Sequence, residues 1–123
     1  MRFIDTNIII RHLAQPATPI DQARHLAATA LFRRIQRREE QARICEAVIS
    51  EVLYVLCSPR QYGLSHVDAT ARLRPTLRPR GLRIPNKRVY LRALDLFAAY
   101  PHLDFEDTCD HRPHGARARA GTI

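Results

Sequence analysis

The chain has 123 residues, of which 46% are hydrophobic and 26% charged, a balance that fits one globular domain and excludes wholesale disorder. No apolar run approaches the roughly 18 residues of a membrane span, and the N-terminus lacks the basic start and small-residue cleavage site of a signal peptide, so a cytoplasmic protein is expected. Twenty Lys and Arg against twelve Asp and Glu leave a net charge of +8, almost all of it from arginine, whose planar fork suits phosphate oxygens and points to a polyanionic partner such as RNA or DNA.

Arg2 to Ile4 reads as a short buried strand that ends at Asp5. Thr6 to Leu13 has helical character and is stopped by Pro16 and Pro19. Asp21 is placed to cap a long helix reaching about Glu40, in which Ala23, Leu26, Ala27, Ala30, Leu31 and Ile35 recur at steps of three and four. Its outer face carries Arg33, Arg34, Arg37 and Arg38, followed by Glu39 and Glu40. Ala42 to Cys45 is a second strand, and a helix from about Ala47 to Cys57 ends at Ser58-Pro59. After a turn at Tyr62-Gly63-Leu64, Ser65 caps a helix closed by Pro75 and Pro79. Leu82 to Ile84 is a third strand, and Lys87 to Tyr100 a further helix.

Strands alternating with helices predict an α/β fold, a parallel sheet joined by right-handed crossovers and sandwiched between helices. A ligand site in such a sheet lies beyond the carboxyl ends of the strands, where Asp5 falls. Residues 111–123 carry no acid and no run able to form a strand, so a domain over 1–110 and an atypical tail are expected. Cys45, Cys57 and Cys109 are odd in number and widely spaced, which suggests neither a disulfide framework nor a zinc knot.

The twelve acids sort by environment. Asp21, Glu39, Glu40 and Asp68 suit caps, first turns or exposed faces, and Asp95 suits an ion-pair row with Arg92 and Arg88. Glu46, at a strand end, is ambiguous. Asp5 can either cap the following helix or serve a ligand. Glu51 falls about 40° from Val55 on the helical wheel, at the shoulder of the apolar stripe, where a carboxylate needs a partner. In Leu103-Asp104-Phe105-Glu106-Asp107, Asp104 is an N-cap and the later acids complete a capping box. Acids at the ends of separate strands and helices can converge on one rim of the sheet, and they tolerate one another only if a cation neutralises them or some hold protons. Oxygen-only ligands select Mg²⁺ or Mn²⁺, an ion able to activate water against a phosphodiester.

Four segments in order, FIDTNIIIRHL, AVISEVLYVL, YGLS and LDFEDT, together resemble the PIN-domain family, and within it the VapC-type toxins of bacterial toxin–antitoxin pairs. The resemblance covers about residues 1 to 110. It implies a PIN fold and Mg²⁺- or Mn²⁺-dependent endoribonuclease activity, often on structured RNA such as tRNA. It also implies a cognate antitoxin that covers the site, and commonly a homodimer. By position Asp5, Glu51 and Asp107 correspond to the metal-site and catalytic acids, Asp104 to the cap before the third acid, and Thr6 and Asn7 to supporting polar groups. Arg11, Arg60 and Arg88, near predicted helix ends, are candidates to hold RNA.

The family continues after its DFEDA motif with a helix, a strand and a further aspartate. Here Thr108 stands in place of the alanine, and Asp110-His111-Arg112-Pro113 interrupts the helical pattern. No acid follows Asp110, which lies one turn after Asp107 and could approach the site. The last strand is expected to be missing, and the tail to come from a shifted reading frame or a truncation. Loss of that acid leaves a second expectation, a catalytically inactive PIN remnant that binds only antitoxin or RNA. A DNA-binding domain driven by charge alone finds no recognition-helix motif.

Overall fold

A computed structural model of the chain describes residues 1–109. The expectations for Asp110 and the tail at 111–123 lie outside the described residues. Within them, three strands alternate with helices: β1 (Arg2–Phe3), α1 (Thr6–Leu13), α2 (Pro19–Gln36), β2 (Ala42–Arg43), α3 (Glu46–Cys57), α4 (His66–Leu77), β3 (Leu82–Arg83), α5 (Lys87–Ala99) and α6 (Phe105–Cys109). The strands are parallel in the order β1-β2-β3, with Arg2 opposite Ala42 and Ala42 opposite Leu82. Helices flank this sheet, so the expected α/β class holds.

Side chains alternate across a strand, and burial follows that alternation except at Arg2, which is exposed although it stands in register with buried Ala42. Ile4, Ala42, Ile44, Leu82 and Ile84 point to one side and are buried against Ile9, Ile35, Ile49, Leu53 and Leu73. The intervening row Phe3, Arg43 and Arg83 lies in register on the other side and is exposed, Phe3 at 76%.

The helix boundaries show where side-chain caps overruled simple periodicity. The cap of α2 is Thr18, whose hydroxyl accepts the Asp21 N–H at 3.1 Å, so Asp21 sits inside the first turn instead of capping it. Pro19 fits at the first helical position because no intrahelical partner awaits its missing N–H. The same helix stops at Gln36, short of Glu40, because Arg38 turns into the left-handed region (φ 62°) and reverses the chain. Glu40 is thereby brought back to pair with Arg2 of β1 (2.6 Å) and Arg34 of α2 (3.2 Å). Pro75 lies inside α4, which runs on to Leu77, while Ser65 caps its start as expected. Asp95 pairs with Arg74 of α4 rather than with the arginines of its own helix. That contact joins α4 to α5, which a reading confined to one helix does not reach.

Gly81 precedes β3 at a close crossing. A Cβ there would stand 2.4 Å from the Ile35 carbonyl oxygen and 3.2 Å from that of Glu40. Only glycine lets the end of α2 approach the third strand this closely.

Candidate functional site

The carboxyl end of β1 runs through buried Ile4 into Asp5, which is extended (φ −94°, ψ 173°) and caps α1. Its Oδ1 accepts the Ile8 N–H at 3.1 Å. Capping, one of the two roles open to this residue, is therefore real. It occupies one carboxylate oxygen and fixes the group at the rim of the sheet. Thr6, the next residue, is buried at 8% exposure. Its hydroxyl donates to Glu51 Oε1 at 2.7 Å across 45 residues of sequence. A single side chain thus ties the second turn of α3 to the first turn of α1, beside Asp5. Glu51 is exposed at the flank of the buried stripe formed by Ile49, Val52, Leu53 and Leu56, and the Thr6 hydroxyl is the partner its position calls for. Asn7 is exposed on the first turn of α1.

The third acid stands on α6. The Asp107 N–H donates to Asp104 Oδ1 at 2.9 Å, and the Asp104 N–H donates back to Asp107 Oδ2 at 3.4 Å. This reciprocal pair is the capping box anticipated from sequence. Buried Phe105 secures the helix in an aromatic cluster with Tyr90 and Phe97, at centroid separations of 6.4 and 6.3 Å. Thr108 is also buried, and its hydroxyl donates to the Phe105 carbonyl at 2.7 Å, so the added oxygen is satisfied within its own turn. The short helix packs on α5 and α3, and α1 packs on α3. Three acids from separate parts of the chain therefore belong to one connected set of helices.

All these donors are carboxylate oxygens, the chemistry that suits Mg²⁺ or Mn²⁺ held through one or two carboxylates with water completing the shell. Asp5 and Glu51 fit such a two-carboxylate hold, each having one oxygen engaged in a structural hydrogen bond. Among the described residues, no three His, Cys, Asp or Glu side chains stand close enough to grip an ion together. Asp5, Glu51 and Asp107 therefore form no such three-carboxylate cluster among the described residues.

Glu51 and Asp104 also border a cleft of about 670 Å³ that extends from α3 to the turn before α6, lined further by Tyr54, His66, Phe97 and Phe105. Tyr54 is exposed there at 72%. His66 stacks on Phe97 with centroids 3.7 Å apart, and its Nδ1 lies 3.0 Å from the Phe97 carbonyl oxygen. The Ser50 hydroxyl oxygen, in the same wall, is buried and has no hydrogen-bond partner among the described residues. Glu46 resolves as a structural acid at the start of α3, where its Oε1 accepts the Tyr90 hydroxyl at 2.9 Å. The cleft and the Glu46–Tyr90 bond escaped the sequence reading, because both join elements more than 40 residues apart and leave no local pattern.

Arg11 is exposed in the last turn of α1, Arg60 in the loop after α3, and Arg88 in the first turn of α5. They occupy three separate elements. No helix among the described residues is long and apolar enough to cross a membrane. The sequence pattern of one family, described as the PIN domain, matches residues 2–109. No curated protein and no solved structure matches the chain.

Proposed function

The chain belongs to the PIN-domain family, whose members are generally metal-dependent nucleases, and from that premise we propose that it is an endoribonuclease, the toxin component of a toxin–antitoxin pair. The observation that carries this reading is the Thr6–Glu51 hydrogen bond, because it draws the α3 carboxylate to the strand-end corner that Asp5 occupies. Asp5 and Glu51 would hold one Mg²⁺ or Mn²⁺, with Asp107 reaching it through water. Bound there, the ion would activate water and stabilise the charge that develops on a phosphodiester.

The chain's own groups set the geometry. The cap to Ile8 fixes Asp5, the Thr6 hydroxyl holds Glu51 Oε1, and the capping box with Asp104 fixes Asp107. Asp107, which meets the ion only through water, accepts the proton of the attacking water as its oxygen bonds to phosphorus, and the ribose oxygen departs with a proton from solvent. Arg11, Arg60 and Arg88 hold backbone phosphates. An antitoxin that covers the acids, a homodimer, tRNA-like targets and a cytoplasmic setting complete the proposal.

A second reading is favoured by the lack of a three-acid grip among the described residues: a catalytically inactive PIN protein that only binds antitoxin or RNA. Incubation with a panel of RNAs, including tRNA, separates the two. New RNA ends formed with Mg²⁺ or Mn²⁺ and suppressed by EDTA support the nuclease. Tight RNA or antitoxin binding with no cleavage at any metal concentration supports the inactive protein.

A further inference from the structure

The row Phe3, Arg43 and Arg83 has no place in the proposed catalytic machinery. Parallel strands lie about 4.8 Å apart, so three side chains in register form a continuous line across the sheet. The line has an exposed aromatic ring at one end and two exposed guanidinium groups beside it. Neither arginine joins an ion pair among the described residues, and no acid shares the row. What sets these two apart from other exposed arginines is their alignment beside an exposed aromatic ring in one register position of the sheet.

We infer that this row is a binding platform for single-stranded RNA, an unpaired base stacking on Phe3 while Arg43 and Arg83 take backbone phosphates. The inference rests on the nuclease reading for its direction. Asp5 follows Phe3 by two residues in extended backbone, so it stands on the same side of the sheet about 6.6 Å further along the strand. The Phe3 end of the row is therefore the end nearest the rim acid Asp5, so an RNA lying along the row brings the nucleotide beyond Phe3 close to that rim. An exposed ring accepts any unstacked base, and a duplex offers none. Charge argues against two other occupants. Residues 111–123 carry Arg112, Arg117 and Arg119 and no acid, and a second copy would set the same arginines against each other.

The test is fluorescence anisotropy with the full chain, a labelled unstructured oligoribonucleotide and EDTA to prevent cleavage. The double variant Arg43→Gln/Arg83→Gln is expected to bind at least about tenfold more weakly, with the slope of log K against log salt reduced by about 1.4. Phe3→Ala is expected to weaken the single strand by about fivefold or more and leave a duplex of the same sequence unchanged. Arg24→Gln/Arg33→Gln, which removes equal charge from exposed positions of α2, is expected to change binding by less than about threefold. Equal weakening in the two double variants, no weakening in either, or no measurable RNA binding overturns the inference. So does a dimer in sedimentation velocity that Phe3→Ala dissolves. Row-dependent binding without cleavage sinks the nuclease reading alone, whereas cleavage with row-independent binding sinks this one alone.

Discussion

Asp5 is given two tasks, capping α1 and holding a metal ion, and two substitutions pull them apart. Asp5→Asn keeps a side-chain oxygen that can accept the Ile8 N–H, a bond of 3.1 Å in the native protein. Asn is about as good a cap as Asp, so its stability should stay within about 0.5 kcal/mol of the parent. Asp5→Ala leaves that N–H without its acceptor and should cost about 1 kcal/mol. For a domain of this size, that loss lowers the melting temperature by about 4 °C. Metal-dependent cleavage should respond differently, because both variants delete the same negative oxygen donor. Each should fall by more than about a hundredfold, the upper end of what losing a mere outer-sphere partner costs. Thermal melts followed by circular dichroism and a timed RNA cleavage assay with Mn²⁺ give both readouts on one preparation. Cleavage by Asp5→Asn at the parental rate would show that the residue is only a cap. Cleavage losses that track the stability losses would likewise remove its metal role.

Thr6→Val deletes the donor to Glu51 and should cost about 1 kcal/mol of stability while lowering cleavage about tenfold to a hundredfold; Thr6→Ser should restore most of both, and a cleavage rate indifferent to the hydroxyl counts against its positioning role. Gly81→Ala should destabilise by about 3 kcal/mol, since the added Cβ meets a backbone oxygen that cannot swing aside; a denaturant midpoint unmoved from the parent contradicts that packing. His12, stacked on Phe32 at 4.7 Å, is held below its ordinary value of 6.5 by burial and then by His25. Near pH 6 the unfolded chain therefore binds more protons than the folded one, and the resulting stability is present above about pH 6.5 and lost as pH falls below it. The melting temperature should drop between pH 7.5 and 5.5, by less in His12→Gln, and an equal drop in both proteins excludes His12 as a source.

Features written in local sequence were legible before any coordinates. Thr6 to Leu13, the Ser65 cap and the reciprocal Asp104–Asp107 pair depend on residues a few positions apart, and the structure has all three. What escaped was set by distant partners. Arg38 ends α2 early by a left-handed turn, after which Glu40 finds Arg2. Asp95 turns to Arg74 because α5 lies against α4, and one helix wheel cannot show the neighbour. The candidate site divides along the same line. Three acids could be picked out by motif, but the hydroxyl that joins Glu51 to the strand-end corner spans 45 positions. The exposed row of Phe3, Arg43 and Arg83 needed the strand register, which two-residue strands do not encode by alternation alone.

The first turn of α6, from Phe105, carries the third acid. A first turn is the costliest part of a helix to form, since it fixes several residues for one backbone bond. Its order is borrowed from the Asp104 cap and the ring of Phe105. Any ion that recruits Asp107 must then share its binding energy with the assembly of that first turn, and its apparent affinity is diluted by the fraction of molecules in which the turn is formed. Tightening the aromatic seat of Phe105 should therefore sharpen cation affinity without touching a single carboxylate.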